Sequence, residues 1–252
     1  MSSTVLRKAY ERWQSGGRMP ARMPDQGSIV PAEEVELGAL LGIPSGAVED
    51  YAALASRIEL AMQNEVQRTL VVGAAARRGG ASTVAVGLAS TLAATGRSPI
   101  LLVDGNLRDP ILHRKFQVPR EPGLADLARG AVKAADIVHP TAVPNLNFVA
   151  VGSETKVPQA FYQQPPFREI LDAWAREYSY VIIDSAPFTR VADPINLAQA
   201  ATGVLLVVEA GRTVREVAAE TTEELRRAGI RVLGAVLNRR RFYIPDWIYR
   251  RV

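Results

Sequence analysis

TLVVGAAARRGGASTVAVGLAS, residues 69–90, is the stretch on which the fold turns. Its first part, TLVVGA (69–74), is a short apolar run rich in β-branched residues, as in a strand covered on both faces. Residues 82–95 follow a helical pattern that ends at Gly96. Between them lies GAAARRGGAST (73–83): small residues, two arginines and a Ser-Thr pair at the helix start. This is the layout of a phosphate-binding loop, in which backbone N–H groups and the helix N-terminus face an anion. The usual spacing is G-x-x-x-x-G-K-[ST]. Gly80, Ala81 and Ser82 fall on its G-K-S positions, and Ala75 falls on its first glycine. The lysine of that pattern is a point cation for the β- and γ-phosphates. Losing one such preorganised donor costs roughly 2.7–4 kcal/mol, about 10²–10³ in rate. Arg77 and Arg78 are either replacement cations or solvated loop residues.

Outward from this stretch, strand and helix alternate. Residues 48–64 repeat Tyr51, Leu54, Ile58 and Met62 at helical spacing. Strands are expected at 99–105, 145–152, 180–187, 203–210 and 231–238, and further helices at 167–178, 192–201 and 213–228. Runs such as ILLV, VII and VLLVV are apolar at every position, the signature of parallel strands under helices on both sides. The expected architecture is a doubly wound α/β fold, a mostly parallel sheet of the P-loop NTPase kind. In such sheets ligands bind beyond the carboxyl ends of the strands. Asp104 ends the second strand, in VDGNLRDP (103–110), and can hold Mg²⁺ or orient a nucleophile. Asn106 follows it, in a segment that also reads as a simple turn. Asp184 ends VIID (181–184), where a Walker B carboxylate would bind Mg²⁺. Asn238 ends the last strand with Arg239 beside it, either toward a purine base or in a turn.

Composition narrows the classes. The 252 residues are 48% hydrophobic and 22% charged, which excludes a mostly disordered or collagen-like chain. With no cysteine there is no thiolate nucleophile, no thiolate metal site and no disulfide. His113 and His139 are isolated and lack metal-ligand spacing, so they read as surface or loop residues. Neither a secretory signal nor a membrane-spanning run is visible. The net charge of +4 is concentrated at the ends, +3 in residues 1–30 and +4 in 239–252, leaving the body at −3. Residues 1–47 are expected to form a flexible segment, 48–241 the domain, and 242–252 a basic aromatic tail suited to an anionic membrane surface. No aromatic-basic platform supports nucleic-acid binding.

ILLVDGNLRDP (100–110) resembles the second nucleotide motif of the bacterial tyrosine autokinases, the CpsD/CapB/Wzc-type proteins of capsule and exopolysaccharide synthesis. GLADLARG (123–130), VPNLNFVAVG (143–152), YSYVIIDSAPFTRVADP (178–194) and GAVLNRRR (234–241) match the same family in order and spacing. The sheet and ATP site are similar in the MinD/ParA ATPases, from which the ordered set separates this chain. The resemblance implies a phosphate loop of Gly79, Gly80, Ser82 and Thr83, with Ser82 toward Mg²⁺. It makes Asp104 the catalytic aspartate, Arg108 the arginine of the second motif, Asp184 the Walker B carboxylate and Asn238 a base contact. Asn106 falls where the family has a metal-binding aspartate. The subunit-contact helix, E-x-x-R-x-x-R in the family, appears as EDYAALASR (49–57), with Ala52 and Ala55 in place of arginines. The phosphoacceptor tyrosine cluster is reduced to Tyr243 and Tyr249.

Nucleotide site, oligomer contact and substrate tail are thus weakened together. The expectation is a degenerate kinase-like protein, cytoplasmic and peripheral at the inner membrane. It would regulate a membrane chain-length or export component, with ATP/ADP and Mg²⁺ binding weak or lost and self-association degraded. Two alternatives stand beside it. One is an active tyrosine autokinase using Arg77 or Arg78; the other is a MinD-type positioning ATPase.

Overall fold

The structure, a computed structural model, describes residues 47–96, 98–153, 161–162, 165–188 and 192–239. The expected N-terminal segment up to residue 46 and the tail at 242–252, with Tyr243 and Tyr249, lie outside the described residues. Chain order runs α1 (Val48–Ala61), β1 (Thr69–Ala74), α2 (Ala81–Thr95), β2 (Ile100–Asp104), α3 (Leu112–Phe116) and α4 (Leu124–Ala128). A 3-10 turn (Ala134–Ile137), β3 (Val138–Pro140), β4 (Leu146–Val149), α5 (Pro165–Glu177) and β5 (Tyr180–Asp184) follow. The order ends with α6 (Ala192–Gln199), β6 (Gly203–Glu209), α7 (Arg215–Arg227) and β7 (Val232–Asn238).

The seven strands are ordered β3-β4-β2-β5-β1-β6-β7. All pairs are parallel except β3 with β4, so the doubly wound, mostly parallel expectation holds. β1, β2 and β5 are buried at every position. Their side chains alternate between the two faces. On one face Val71, Leu101, Val181 and Ile183 join Phe167, Leu171, Trp174, Leu197 and Leu225 of α5, α6 and α7 in one core cluster. On the other, Leu70, Val72, Leu102 and Ile182 are as fully buried, against α2. α2 is itself apolar on most sides because α1 covers its outer surface. Gly87 makes that approach close: a Cβ there would stand 2.3 Å from the Tyr51 ring.

Two expectations change. His113 lies in α3 and His139 in β3, both half-buried, with His113 Nδ1 and His139 Nε2 buried and without a hydrogen-bond partner. β7 reads like the central strands but lies at the sheet edge, where no position is fully buried and Leu237 is 56% exposed.

Candidate nucleotide site

The carboxyl ends of the parallel strands carry the polar residues that their interiors lack. Asp104 ends β2, Asp184 ends β5, Glu209 ends β6 and Asn238 ends β7. The phosphate loop follows β1, between β5 and β6. Its start is sewn to β6 by the Ala75 N–H, which donates to the Val207 carbonyl at 3.0 Å. The Gly79 N–H turns back to the Ala76 carbonyl at 3.3 Å. Gly80 then caps α2 at φ 88°. Among the described residues, the N–H groups of residues 80–83 have no backbone acceptor. A free N–H row at a helix start is the donor set an anion needs.

Asp104 and Asp184 are direct register partners on neighbouring strands, and both are buried. Asp104 accepts the Asn106 N–H at 3.1 Å and the Leu112 N–H at 3.4 Å. Burial pushes its carboxyl up to about 7, against the pull of those amides and of the Arg120 charge. Asp184 is raised well above the carboxylate range, first by burial and second by the Asp104 charge, while the Ser82 hydroxyl and the Ser185 amide work the other way. Neither Asp184 oxygen has a partner at hydrogen-bond geometry. Two buried carboxylates, one of them orphaned, beside a serine hydroxyl fit a small divalent cation.

The other expected residues are placed as follows. Ala81 is 7% exposed, a buried methyl where the ammonium-bearing residue would stand. Arg77 and Arg78 are exposed on the loop, and Arg78 adopts φ 63°, a backbone region that non-glycine residues avoid. Thr83 is exposed and its carbonyl accepts the Tyr51 hydroxyl at 3.3 Å. Asn106 serves its turn: its side-chain oxygen accepts the Asp109 N–H at 3.4 Å. Arg108 is exposed beside a small cleft with Gly105, Leu107, Tyr162 and Ala186. Asn238 directs its amide nitrogen to the Gly79 carbonyl at 3.0 Å, into the space that a Cβ on Gly80 would fill.

Two residues of the site had been given no role in the sequence. Glu209 accepts Arg239 Nη1 at 3.0 Å. A polar residue closing an apolar strand was its signal, the one that marked Asp104 and Asp184. Arg120 donates through Nε to the Gly152 carbonyl at 2.9 Å and places its charge near Asp104. No local pattern announces it, because the contact spans 32 residues. A separate cleft of about 460 Å³ opens at the amino end of the sheet, lined by Glu59, Arg68, Ser98 and Tyr180 among others. Arg68 is already engaged there, by the Met62 and Gln63 carbonyls and the Tyr180 ring.

No family model matches the chain. It is 33% identical over 191 residues to the putative tyrosine-protein kinase EpsB of Ralstonia nicotianae, a match covering 76% of this chain and 25% of that protein. The chain thus spans about a quarter of the length of that relative. It is 29% identical over 186 residues to the tyrosine-protein kinase CpsD of Streptococcus agalactiae, covering 73% of this chain and 80% of CpsD. The crystal structure of the chimerical protein CapA2B2 superposes with a TM-score of 0.73 at 26% identity, over 81% of this chain and 91% of the other. MinD of Pyrococcus horikoshii, solved with Mg-ADP, shares the fold at a TM-score of 0.60 and 20% identity, over 73% of this chain and 76% of that one. The motifs, the sheet order and these likenesses together place the chain in the family of bacterial tyrosine-protein kinases that includes EpsB and CpsD.

Proposed function

We propose that this chain is a kinase-like regulatory domain of capsule or exopolysaccharide synthesis in which phosphoryl transfer is strongly reduced. The observation that carries the reading is the buried Ala81 methyl beside an intact carboxylate pair. The loop N–H groups and helix start would bind the nucleotide phosphates, and Asp184, Asp104 and Ser82 would hold Mg²⁺. A bound divalent cation supplies charge neutralisation on β- and γ-phosphate oxygens. Asp104 would hold the cation through water and, in the catalytic role that the resemblance implies, accept a proton from a substrate hydroxyl. Two elements are missing: the fixed cation for the transferring group, at Ala81, and the metal-binding carboxylate that the resemblance places at Asn106. The domain would act at the cytoplasmic face of a membrane chain-length or export protein; its relatives EpsB and CpsD carry the names of tyrosine-protein kinases. No helix among the described residues is long and apolar enough to cross a membrane.

The test is self-labelling of tyrosine with ATP and Mg²⁺, paired with calorimetry using ADP. The parent chain is expected to label slowly, and Ala81→Lys to raise the rate about 10²–10³-fold. Equal rates in the two proteins would overturn the reading. The exposure of Arg77 and Arg78 favours a second reading, an active kinase with an arginine as the substitute cation. In that case the parent labels briskly and the Arg77→Ala, Arg78→Ala double variant does not.

A further inference from the structure

The phosphate loop is held from outside by the end of the last strand. Asn238 Nδ2 donates to the Gly79 carbonyl at 3.0 Å. Arg239 Nη1 donates to the Arg78 carbonyl at 3.2 Å and to Glu209 Oε1 at 3.0 Å. The Glu209 side chain is 11% exposed, and Arg212 stands 3.8 Å from its other oxygen. Arg78 and Arg239 both sit at positive φ, 63° and 56°, so each end of this contact occupies backbone that L residues avoid.

A trans peptide is planar, so its C=O and N–H point in opposite directions. Pinning the Gly79 carbonyl to Asn238 therefore fixes where the Gly80 N–H aims. Pinning the Arg78 carbonyl to Arg239 does the same for the Gly79 N–H, which meets Ala76. The Gly79 N–H closes the turn that presents the free N–H groups from Gly80 onward, and with no lysine in the loop the direction of that free row is the main anion-binding resource left. We propose that Arg239, oriented by Glu209, is a positioning residue that braces the phosphate loop in its anion-binding form. The proposal rests on the nucleotide-site reading above and extends it to residues beyond the loop itself.

Arg77 and Arg78 provide the readout, because both are exposed and trypsin cuts after arginine when a loop opens. Nucleotide-free parent chain, Arg239→Ala, Glu209→Gln and the double variant are digested briefly, and the cuts are located by mass spectrometry. Arg239→Ala is expected to speed cleavage after Arg77 and Arg78 about tenfold, the population shift that one charge-assisted hydrogen bond controls. Glu209→Gln should speed it less, and the double variant should match Arg239→Ala, since Glu209 acts through Arg239. Arg239→Lys, which keeps a donor for both oxygens, should return most of the protection. Cuts at the helical residues Arg176, Arg226 and Arg227 serve as the control. Unchanged cleavage at the loop, or an increase spread equally over the helical sites, would overturn the brace. ADP calorimetry on the parent chain judges the nucleotide site separately: no binding there removes that reading while the loop ratio still decides on the brace.

Discussion

Asp104 and Asp184 are two buried carboxylates that the fold sets side by side; burial raises the proton affinity of both, and the Asp104 charge raises that of Asp184 further. Their folded proton affinities exceed those of the unfolded chain, so between about pH 4 and 7 the folded state holds more protons. Stability then falls as pH rises through that window and is lowest above it. Metal-free protein should melt at a higher temperature at pH 6 than at pH 8, and Asp184→Asn should flatten the slope. Mg²⁺ should raise the melting temperature more at pH 8, where protons no longer compete. Scanning calorimetry across this range checks all three; a level parent profile counts against two buried carboxyls with raised proton affinity. Both aspartates were legible in the sequence because each ends an apolar run. Arg120 was not: its approach to Asp104 depends on the Gly152 carbonyl, and no spacing rule connects the two.

At the scale of elements, the GLADLARG motif proves to be a joint between α4 and the end of β4. The Leu124 and Ala125 N–H groups donate to the Ala150 and Val151 carbonyls at 2.9 and 2.7 Å. Asp126, although burial works against it, is held below the usual carboxylate range by Ser153, the Gly123 and Ser153 amides and Arg129. A Cβ on Gly123 would meet Gly152 N at 2.3 Å and Ala150 O at 2.4 Å, both backbone atoms that cannot swing aside. Gly123→Ala is therefore expected to cost about 1–3 kcal/mol or more, read from urea unfolding. The long elements were readable from their apolar pattern, and TLVVGA falls on β1 residue for residue. What the pattern left out is short. Leu112–Phe116 and Leu124–Ala128 have five residues each, too few to show a helical repeat. Val138–Pro140 is a three-residue antiparallel edge strand containing a proline, and only its partner β4 makes it a strand. The placement of β7 at the edge was hidden for a related reason: composition reports that a strand is apolar, not which neighbour it lacks.

At the scale of the molecule, α1 bears on assembly. Ala55 is buried, whereas Ala52 is exposed, at positions where the family resemblance places arginines. An exposed alanine offers no charge for a neighbouring copy, so the chain should sediment as a monomer at micromolar concentration. A stable ring in the ultracentrifuge would show that another surface carries the contact. The sheet order has a further effect. The Cα atoms that bear the two site aspartates face each other across hydrogen-bonded strands, which lie about 4.8 Å apart. The gauge of the proposed cation seat is therefore set by the ladder itself, not by any side chain that drift could trim. Surface change leaves that gauge untouched, while a slip of one residue between β2 and β5 would turn one of the two carboxylates to the opposite side of the sheet and dismantle the seat at a stroke.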